Sequence, residues 1–269
     1  MNNHLTRRGL TAMGLAALAA PILGKRAQAK VPNANLDVAY LEGLVLPADT
    51  PYLPPSRLHP AYSHAVYVNA ALSGAGAQKM WVLAREDGCW RLAFCDVEHW
   101  GAMADPTYSG PVSTGRIYTG DRRSGPTPPG IFNIDERQAR HRPGWGSVGM
   151  YNALYIDLHY SGGRASGVAI HGTLEVNYNK LEQADSHGCV RIRQAVADKI
   201  WAILHPEGAW GTASPLWGEV PRFFRSEVRG DMSARSGYIR DGSLLRAADG
   251  SVLMRPGYSM VFVFFRDDL

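Results

Sequence analysis

The sequence predicts a mainly β fold with one or two short helices, and three observations carry that expectation. Turn formers and rings are abundant together: of 269 residues, 29 are Gly, 17 Pro, 12 Tyr, 7 Trp and 7 Phe, a mixture suited to many strands joined by many turns. Apolar residues alternate at period two over much of the chain and take a helical period after Ile192. Residues 258–265, YSMVFVFF, are almost continuously apolar, as in a central strand covered on both faces. Hydrophobic residues make up 45% and charged residues 19%, which excludes wholesale disorder, collagen and coiled coil. The length admits one large domain with additions or two small ones.

Residues 1–29 read as an address. Arg7 and Arg8 precede a weakly apolar run from Leu10 to Leu23, and Ala27-Gln28-Ala29 supplies a small-x-small cleavage site. The run is too short to span roughly 30 Å of hydrocarbon. Thr6-Arg7-Arg8-Gly9-Leu10 resembles a twin-arginine export signal. The expectation is an exported, periplasmic protein with no stable membrane insertion once the signal is removed. The net charge of +4 belongs to this segment: without Arg7, Arg8, Lys25 and Arg26, Lys+Arg falls from 28 to 24, equal to the 24 Asp+Glu. A balanced chain is not expected to bind nucleic acid.

Residues 30–62 carry Pro32, Pro47, Pro51, Pro54, Pro55 and Pro60 and are expected to form an extended arm or linker. The stretch 47–60 is incompatible with a helix or a central strand. Tyr52, Leu53 and Tyr62 are candidate anchors, and such an arm would either act as a spacer or narrow a cleft.

Residues 63–205, closed by a strand at 257–266, are expected to form the main domain. Strands at 65–71, 79–85 and 89–97 form a meander, with Asp87-Gly88 as a hairpin turn. On the third strand Trp90, Leu92 and Phe94 share one face and Cys89, Arg91, Ala93 and Cys95 the other. Two thiols so placed on one strand lie about 20 Å apart, too far for a disulfide, so both are expected to be reduced. Further strands are expected at 111–115, 131–134, 153–160 and 167–171, with a turn at Ser161–Gly163 and a Gly-, Pro- and Arg-rich loop between the first two. Leu154, Ile156 and Leu158 face one way. Val196, Ile200, Ile203 and Leu204 mark an amphipathic helix of about ten residues ending near His205-Pro206. Residues 206–256 are irregular and read as an insertion of unknown role. Repeats and Rossmann or P-loop glycine patterns are absent from the sequence.

The chemistry lies in His171-Gly172 and, with fourteen residues between His171 and Ser186, in Ser186-His187-Gly188-Cys189-Val190-Arg191. A thiol with an ordinary pKa near 8.5 needs a base or a stabilised thiolate to act as a nucleophile. His187 is close in sequence, and His171 ends a strand, where a rigid sheet fixes an angle. Gly188 permits close backbone approach, so the amides of Gly188 and Cys189 could hold a developing oxyanion. A helix starting near Gln194 could favour a thiolate through its dipole. His171, His187 and Cys189 are also of zinc-ligand type, but a single thiolate and no clearly placed carboxylate argue against a metal site. A buried inert thiol is the remaining alternative.

The whole string resembles the L,D-transpeptidase catalytic domain family (YkuD-like): a histidine and glycine, about 14–17 residues, then Ser/Thr-His-Gly-Cys. Val112-Ser113-Thr114-Gly115, Thr127-Pro128-Pro129-Gly130-Ile131-Phe132 and Met150-Tyr151 also look like the family. The resemblance implies a β-sandwich-like fold of mixed sheets. It implies that Cys189 forms a thioester with a peptidoglycan stem peptide, which passes to the side-chain amine of diaminopimelate on a neighbouring stem. His171 would be the base, with the Gly172 carbonyl orienting its ring. His187, Gly188 and Cys189 would supply the oxyanion hole. Arg191 would bind a stem carboxylate, unless it forms a structural ion pair; Ser186 and His187 would hold the loop by hydrogen bonds, and Ser186, Tyr151 and Asn152 are further candidates at the substrate. No metal or organic cofactor is required. The donor stem position stays open. So does the choice between transfer and hydrolysis, as in an L,D-carboxypeptidase or a hydrolase that releases wall proteins; a non-catalytic wall-binding module is the rival of a different class. The basic segments Arg116–Arg123 and Arg137–Arg142 would either attract acidic stems or be solvated loop charge.

Overall fold

The structure, a computed structural model, describes residues 36–47, 50–116, 125–135, 149–160, 165–222, 227–228 and 244–268. The export segment, the Ser161–Gly163 turn, most of the two basic segments and much of the insertion lie outside the described residues.

The helices are α1 (Leu36–Glu42), α2 (Val97–Trp100) and α3 (Gln194–Leu204). The strands in chain order are β1 (His64–Asn69), β2 (Lys79–Glu86), β3 (Cys89–Leu92), β4 (Gly110–Pro111), β5 (Gly130–Asn133), β6 (Tyr151–Tyr155), β7 (His159–Tyr160), β8 (Ala169–Gly172), β9 (Val190–Ile192), β10 (Trp217–Pro221), β11 (Glu227–Val228), β12 (Met254–Tyr258) and β13 (Met260–Phe265). The fold is mainly β with mixed sheets and short helices.

A six-stranded sheet runs β3-β2-β1-β13-β5, with β4 beside β2. β1 and β13 are parallel and the other pairs antiparallel. A three-stranded sheet runs β6-β8-β9, antiparallel then parallel. Two short sheets pair β10 with β12 and β7 with β11. Residues 113–115 cross between the large sheets: Ser113 bridges to Arg191 and Gly115 to Ser186.

Alternation assigns the two faces of β13. Met260, Phe262 and Phe264 face a core shared with Val66, Ile170, Val190, Ile192 and the Val196, Ala197, Ile200 and Leu204 stripe of α3. Val261, Val263 and Phe265 face a second core made with Tyr67, Trp81, Leu41, Leu58 and Tyr62. Every residue of β13 is therefore buried, as its unbroken apolar run predicts. Each such side chain contributes about 1.5–3 kcal/mol by leaving water.

The arm departs from expectation in two ways. Leu36–Glu42 is helical, and Pro55–Arg57 makes one 3-10 turn, where proline is tolerated at the first position. Its expected anchors pack on the six-stranded sheet. Tyr52 packs edge-on against Tyr67 and Phe265, the Tyr67 hydroxyl donates to the Leu53 carbonyl at 2.8 Å, and Tyr62 is fully buried. All cover the second-core face of the six-stranded sheet, so the described part of the arm completes a core.

Other boundaries shift for local reasons. The hairpin at Asp87-Gly88 forms, with φ of 49° and 81° and Glu86 opposite Cys89. The third strand stops at Leu92 because Asp96 caps α2, its carboxylate accepting from the Glu98 amide. Cys95 therefore lies beyond the strand, and none of the three cysteines forms a disulfide among the described residues. The expected strand 153–160 divides into β6 and β7, yet Leu154, Ile156 and Leu158 share one core as alternation requires. The C-terminal strand breaks at Ser259, and β12 pairs with β10, so the insertion is in part ordered sheet.

Candidate active site

β8 and β9 set the geometry. They are parallel, with His171 opposite Arg191 and Ile170 opposite Val190. Ile170 and Val190 point into the main core, so His171 and Arg191 project from the other face. Cys189 immediately precedes β9 and packs with Ala153, Tyr155 and Ala169, on that same outer face. Strand spacing and rise put the Cα atoms of His171 and Cys189 roughly 8 Å apart on a diagonal, a span that an imidazole and a thiol leaning together can close. The Cys189 thiol is partly exposed, and its Sγ donates to the Gly167 carbonyl at 3.5 Å.

His171 is 5% exposed. Its Nδ1 lies 2.9 Å from the Gly172 carbonyl. A carbonyl can only accept, so Nδ1 carries the proton and Nε2 carries the lone pair. Burial pushes the ring down to about 4; the Gly172 carbonyl opposes this and the Arg191 guanidinium adds to it. At neutral pH the ring is an uncharged base, and a standing imidazolium is disfavoured. Gly172 lets α3 and Tyr151 approach closely: a Cβ there would meet Ala197 Cβ and Gln194 Cα at 3.1 Å and Tyr151 Cβ at 3.2 Å, so a side chain would push them back by a few tenths of an ångström.

The nucleophile loop is braced by buried polar groups. Ser186 is 1% exposed; its hydroxyl accepts from the Gly188 amide at 3.1 Å and donates to the Cys189 carbonyl. Its own amide donates to the Thr114 carbonyl at 2.9 Å. Ser186 thus clamps the loop from within, and the Gly188 amide is turned toward its hydroxyl. His187 is exposed.

Arg191 takes the ion-pair alternative. Its Nη1 lies 3.1 Å from Asp185 Oδ2, which also pairs with Lys180 at 3.0 Å. Burial acts upward on the Asp185 carboxyl, but Lys180 and Arg191 hold it below the usual range. Tyr151 stands opposite Gly172, with its Cβ on the α3 side of the sheet. Asn152, at a φ of 48° in the irregular part of β6, donates to Asp198 of α3 at 2.6 Å. Neither lies on the face of Cys189. The start of α3 is likewise on the core side, and its Gln194 amide donates to the Tyr178 hydroxyl at 3.1 Å, so the helix dipole is not aimed at the thiol.

Sequence reasoning missed Thr127 and Gln78. The Thr127 hydroxyl donates to the Gly188 carbonyl at 3.0 Å, and Gln78 brackets Thr114, accepting from its amide at 2.9 Å and donating to its hydroxyl at 2.8 Å. The threonines stand in the segments 112–115 and 127–132 singled out above; Gln78 had no signal beyond its position before β2. Among the described residues, no three His, Cys, Asp or Glu side chains converge as a metal site would require. No helix there is long and apolar enough to cross a membrane.

Residues 99–212 match the family described as the L,D-transpeptidase catalytic domain, YkuD. The match begins after β3, so it contains His171 and Cys189 but not the first three strands. No curated protein matches the chain significantly. Similar solved structures include the L,D-transpeptidase LdtMt1 in complex with imipenem, 18% identical with a TM-score of 0.30 over 52% of this chain and 54% of that one. An L,D-transpeptidase (Yku) from Stackebrandtia nassauensis is 19% identical with a TM-score of 0.32, over 61% of this chain and 58% of that one. A fused Zn-dependent amidase/peptidase/peptidoglycan-binding domain-containing protein from Clostridium acetobutylicum ATCC 824 is 15% identical with a TM-score of 0.27, over 64% and 59%. The chain thus spans little more than half the length of these proteins.

Proposed function

We propose that this protein is an exported, cysteine-dependent L,D-transpeptidase that acts on peptidoglycan stem peptides in the periplasm. One observation carries the reading. Within the segment matching the L,D-transpeptidase catalytic domain, a buried histidine with a carbonyl-fixed tautomer shares a sheet face with a partly exposed cysteine.

The chemistry follows from that tautomer. His171 Nε2 takes the Cys189 thiol proton as Sγ attacks the carbonyl of an L-to-D peptide bond. The oxyanion is held by the amides of Cys189 and His187; the Gly188 amide is spent on Ser186. The imidazolium gives its proton to the leaving amine, the C–N bond breaks, and a thioester remains. The side-chain amine of a neighbouring diaminopimelate then attacks, its proton passes to His171, and the C–S bond breaks to restore the thiol and leave a cross-link. A base pushed down to about 4 suits general-base action better than a standing thiolate–imidazolium pair. Arg191, held by Asp185, contributes positive charge beside the ring more than a bidentate grip on substrate.

Mature protein incubated with purified muropeptides tests this by mass. Dimers are expected. Shortened monomers alone indicate that water takes the thioester and the protein is a hydrolase; unchanged substrate overturns catalysis. Acylation by a carbapenem is expected as a mass increase that disappears in Cys189→Ala, and its persistence there would remove Cys189 as the nucleophile.

A further inference from the structure

The geometry points to Thr127 as a positioning residue that aims the Cys189 amide at the oxyanion; the inference rests on the acyl-transfer reading above. The argument concerns three consecutive peptide units. The unit entering Gly188 is held by its N–H, which donates to the Ser186 hydroxyl at 3.1 Å. The unit leaving Cys189 is held by its carbonyl, which accepts from the same hydroxyl. The middle unit joins the Gly188 carbonyl to the Cys189 N–H, and Thr127 holds it, its hydroxyl donating to the Gly188 carbonyl at 3.0 Å.

A trans peptide is planar, and its C=O and N–H point in opposite directions. The Gly188–Cys189 bond is trans. Fixing the carbonyl toward Thr127 therefore directs the Cys189 N–H to the opposite side. The constraint is needed because Gly188 has a φ of 130°, a region open to glycine, where the plane on its C-terminal side turns easily. The direction of the Thr127 bond is also forced. Its oxygen accepts from the Gly115 N–H at 2.8 Å, and its one proton is left for Gly188. Thr127 is 1% exposed, so water cannot readily substitute for the hydroxyl. Gly115 makes the approach possible: a Cβ there would meet the Gly125 carbonyl at 2.2 Å, the Thr127 amide at 2.6 Å and Gly188 Cα at 2.8 Å. Gln78, 2% exposed, anchors the same segment through Thr114. The brace thus joins the edge of the six-stranded sheet to the nucleophile loop across 61 residues of chain from Thr127 to Gly188.

Two reactions of one thiol separate aiming from framework. Acylation by a muropeptide passes through an oxyanion; alkylation by iodoacetamide displaces iodide and does not. In the full mature protein, Thr127→Val keeps shape and removes the hydroxyl, Thr127→Ala removes more, and Thr127→Ser restores the donor. Alkylation is read at the Cys189 peptide by mass spectrometry, which keeps Cys89 and Cys95 out of the measurement. Loss of an oxyanion donor typically costs 10²–10³-fold. The expected result is a kcat lower by about 30-fold or more in Thr127→Val and Thr127→Ala, KM within about twofold, alkylation within about twofold, and Thr127→Ser near wild type. Full kcat in Thr127→Val overturns the inference. So does a parallel fall in acylation and alkylation, or loss of the fold in both truncations, either of which makes Thr127 framework alone. A wild type that forms no thioester overturns the acyl-transfer reading and this inference with it, whereas an active wild type with indifferent variants overturns only the inference.

Discussion

His171 and His205 are alike in every respect a list of buried ionisable groups would record. They are 5% and 3% exposed, and burial pushes both rings down to about 4. Their surroundings differ. His171 ends β8, has its Nδ1 tied to its neighbour's carbonyl, and shares a face with Cys189 and Arg191. His205 caps α3, lies 3.9 Å centroid to centroid from Trp210, and has its Nε2 3.1 Å from the Tyr258 hydroxyl. Trp201 lies 4.5 Å away on the same helix. One ring shares a sheet face with the proposed nucleophile, and the other packs against aromatic rings. A depressed histidine is therefore evidence of burial first; what the unbonded nitrogen can reach decides whether it does chemistry.

The comparison breaks or sharpens by substitution. The largest effect is expected at His171: His171→Gln should lower kcat by about 10²–10⁴-fold, the range of a lost general base, while the protein remains folded. Turnover within tenfold of wild type would remove His171 as the base. Next is the pH profile of kcat/KM, which should fall on the acid side near pH 4, where the ring charges, and not near 6.5. An acid limb at 6.5 would place the titrating group elsewhere.

A smaller effect separates stability from activity. Both rings are uncharged in the folded chain down to about pH 4, while unfolded histidine binds a proton below about 6.5. The unfolded state therefore binds more protons in between, and stability should fall as pH drops from about 6.5 through 4. His205→Phe removes one of the two protons. Urea titrations at several pH values should show a shallower acid loss, about 1 kcal/mol less stability at neutral pH from the lost Tyr258 bond, and acyl transfer within about twofold. Unaltered acid sensitivity would mean that His205 does not titrate on unfolding. The smallest effect is expected at Asn152→Ala. The bond to Asp198 joins partly exposed groups on the α3 side, so kinetics should be unchanged and stability should fall by less than about 1 kcal/mol; a raised KM would return Asn152 to the substrate.

The legible parts were local. The alternation of residues 153–158, the 3.6 period of α3, the Asp87-Gly88 turn and the continuous apolar run of β13 each report their environment within a few residues, because backbone geometry repeats over that distance. The pair His171 and Cys189 stands out in the sequence for another reason: few residue types supply a base and a sulfur nucleophile, and the string around them is distinctive. The illegible parts were choices among partners. Arg191 suits a substrate carboxylate or Asp185 equally well by type, and among the described residues it pairs with Asp185. Ser186 by type could hold its loop or meet a ligand, and its hydroxyl bonds the loop.

The sequence by itself thus determined the mainly β class and the amphipathic helix, and it singled out the residues proposed to carry the chemistry. Tertiary structure alone decided which face of the large sheet the Pro-rich arm covers. It also decided which amide Ser186 consumes and which carbonyl Thr127 holds. The reason is physical: periodicity and residue type act along the chain, whereas a hydrogen bond or an ion pair is settled by whichever group the fold brings within about 3 Å.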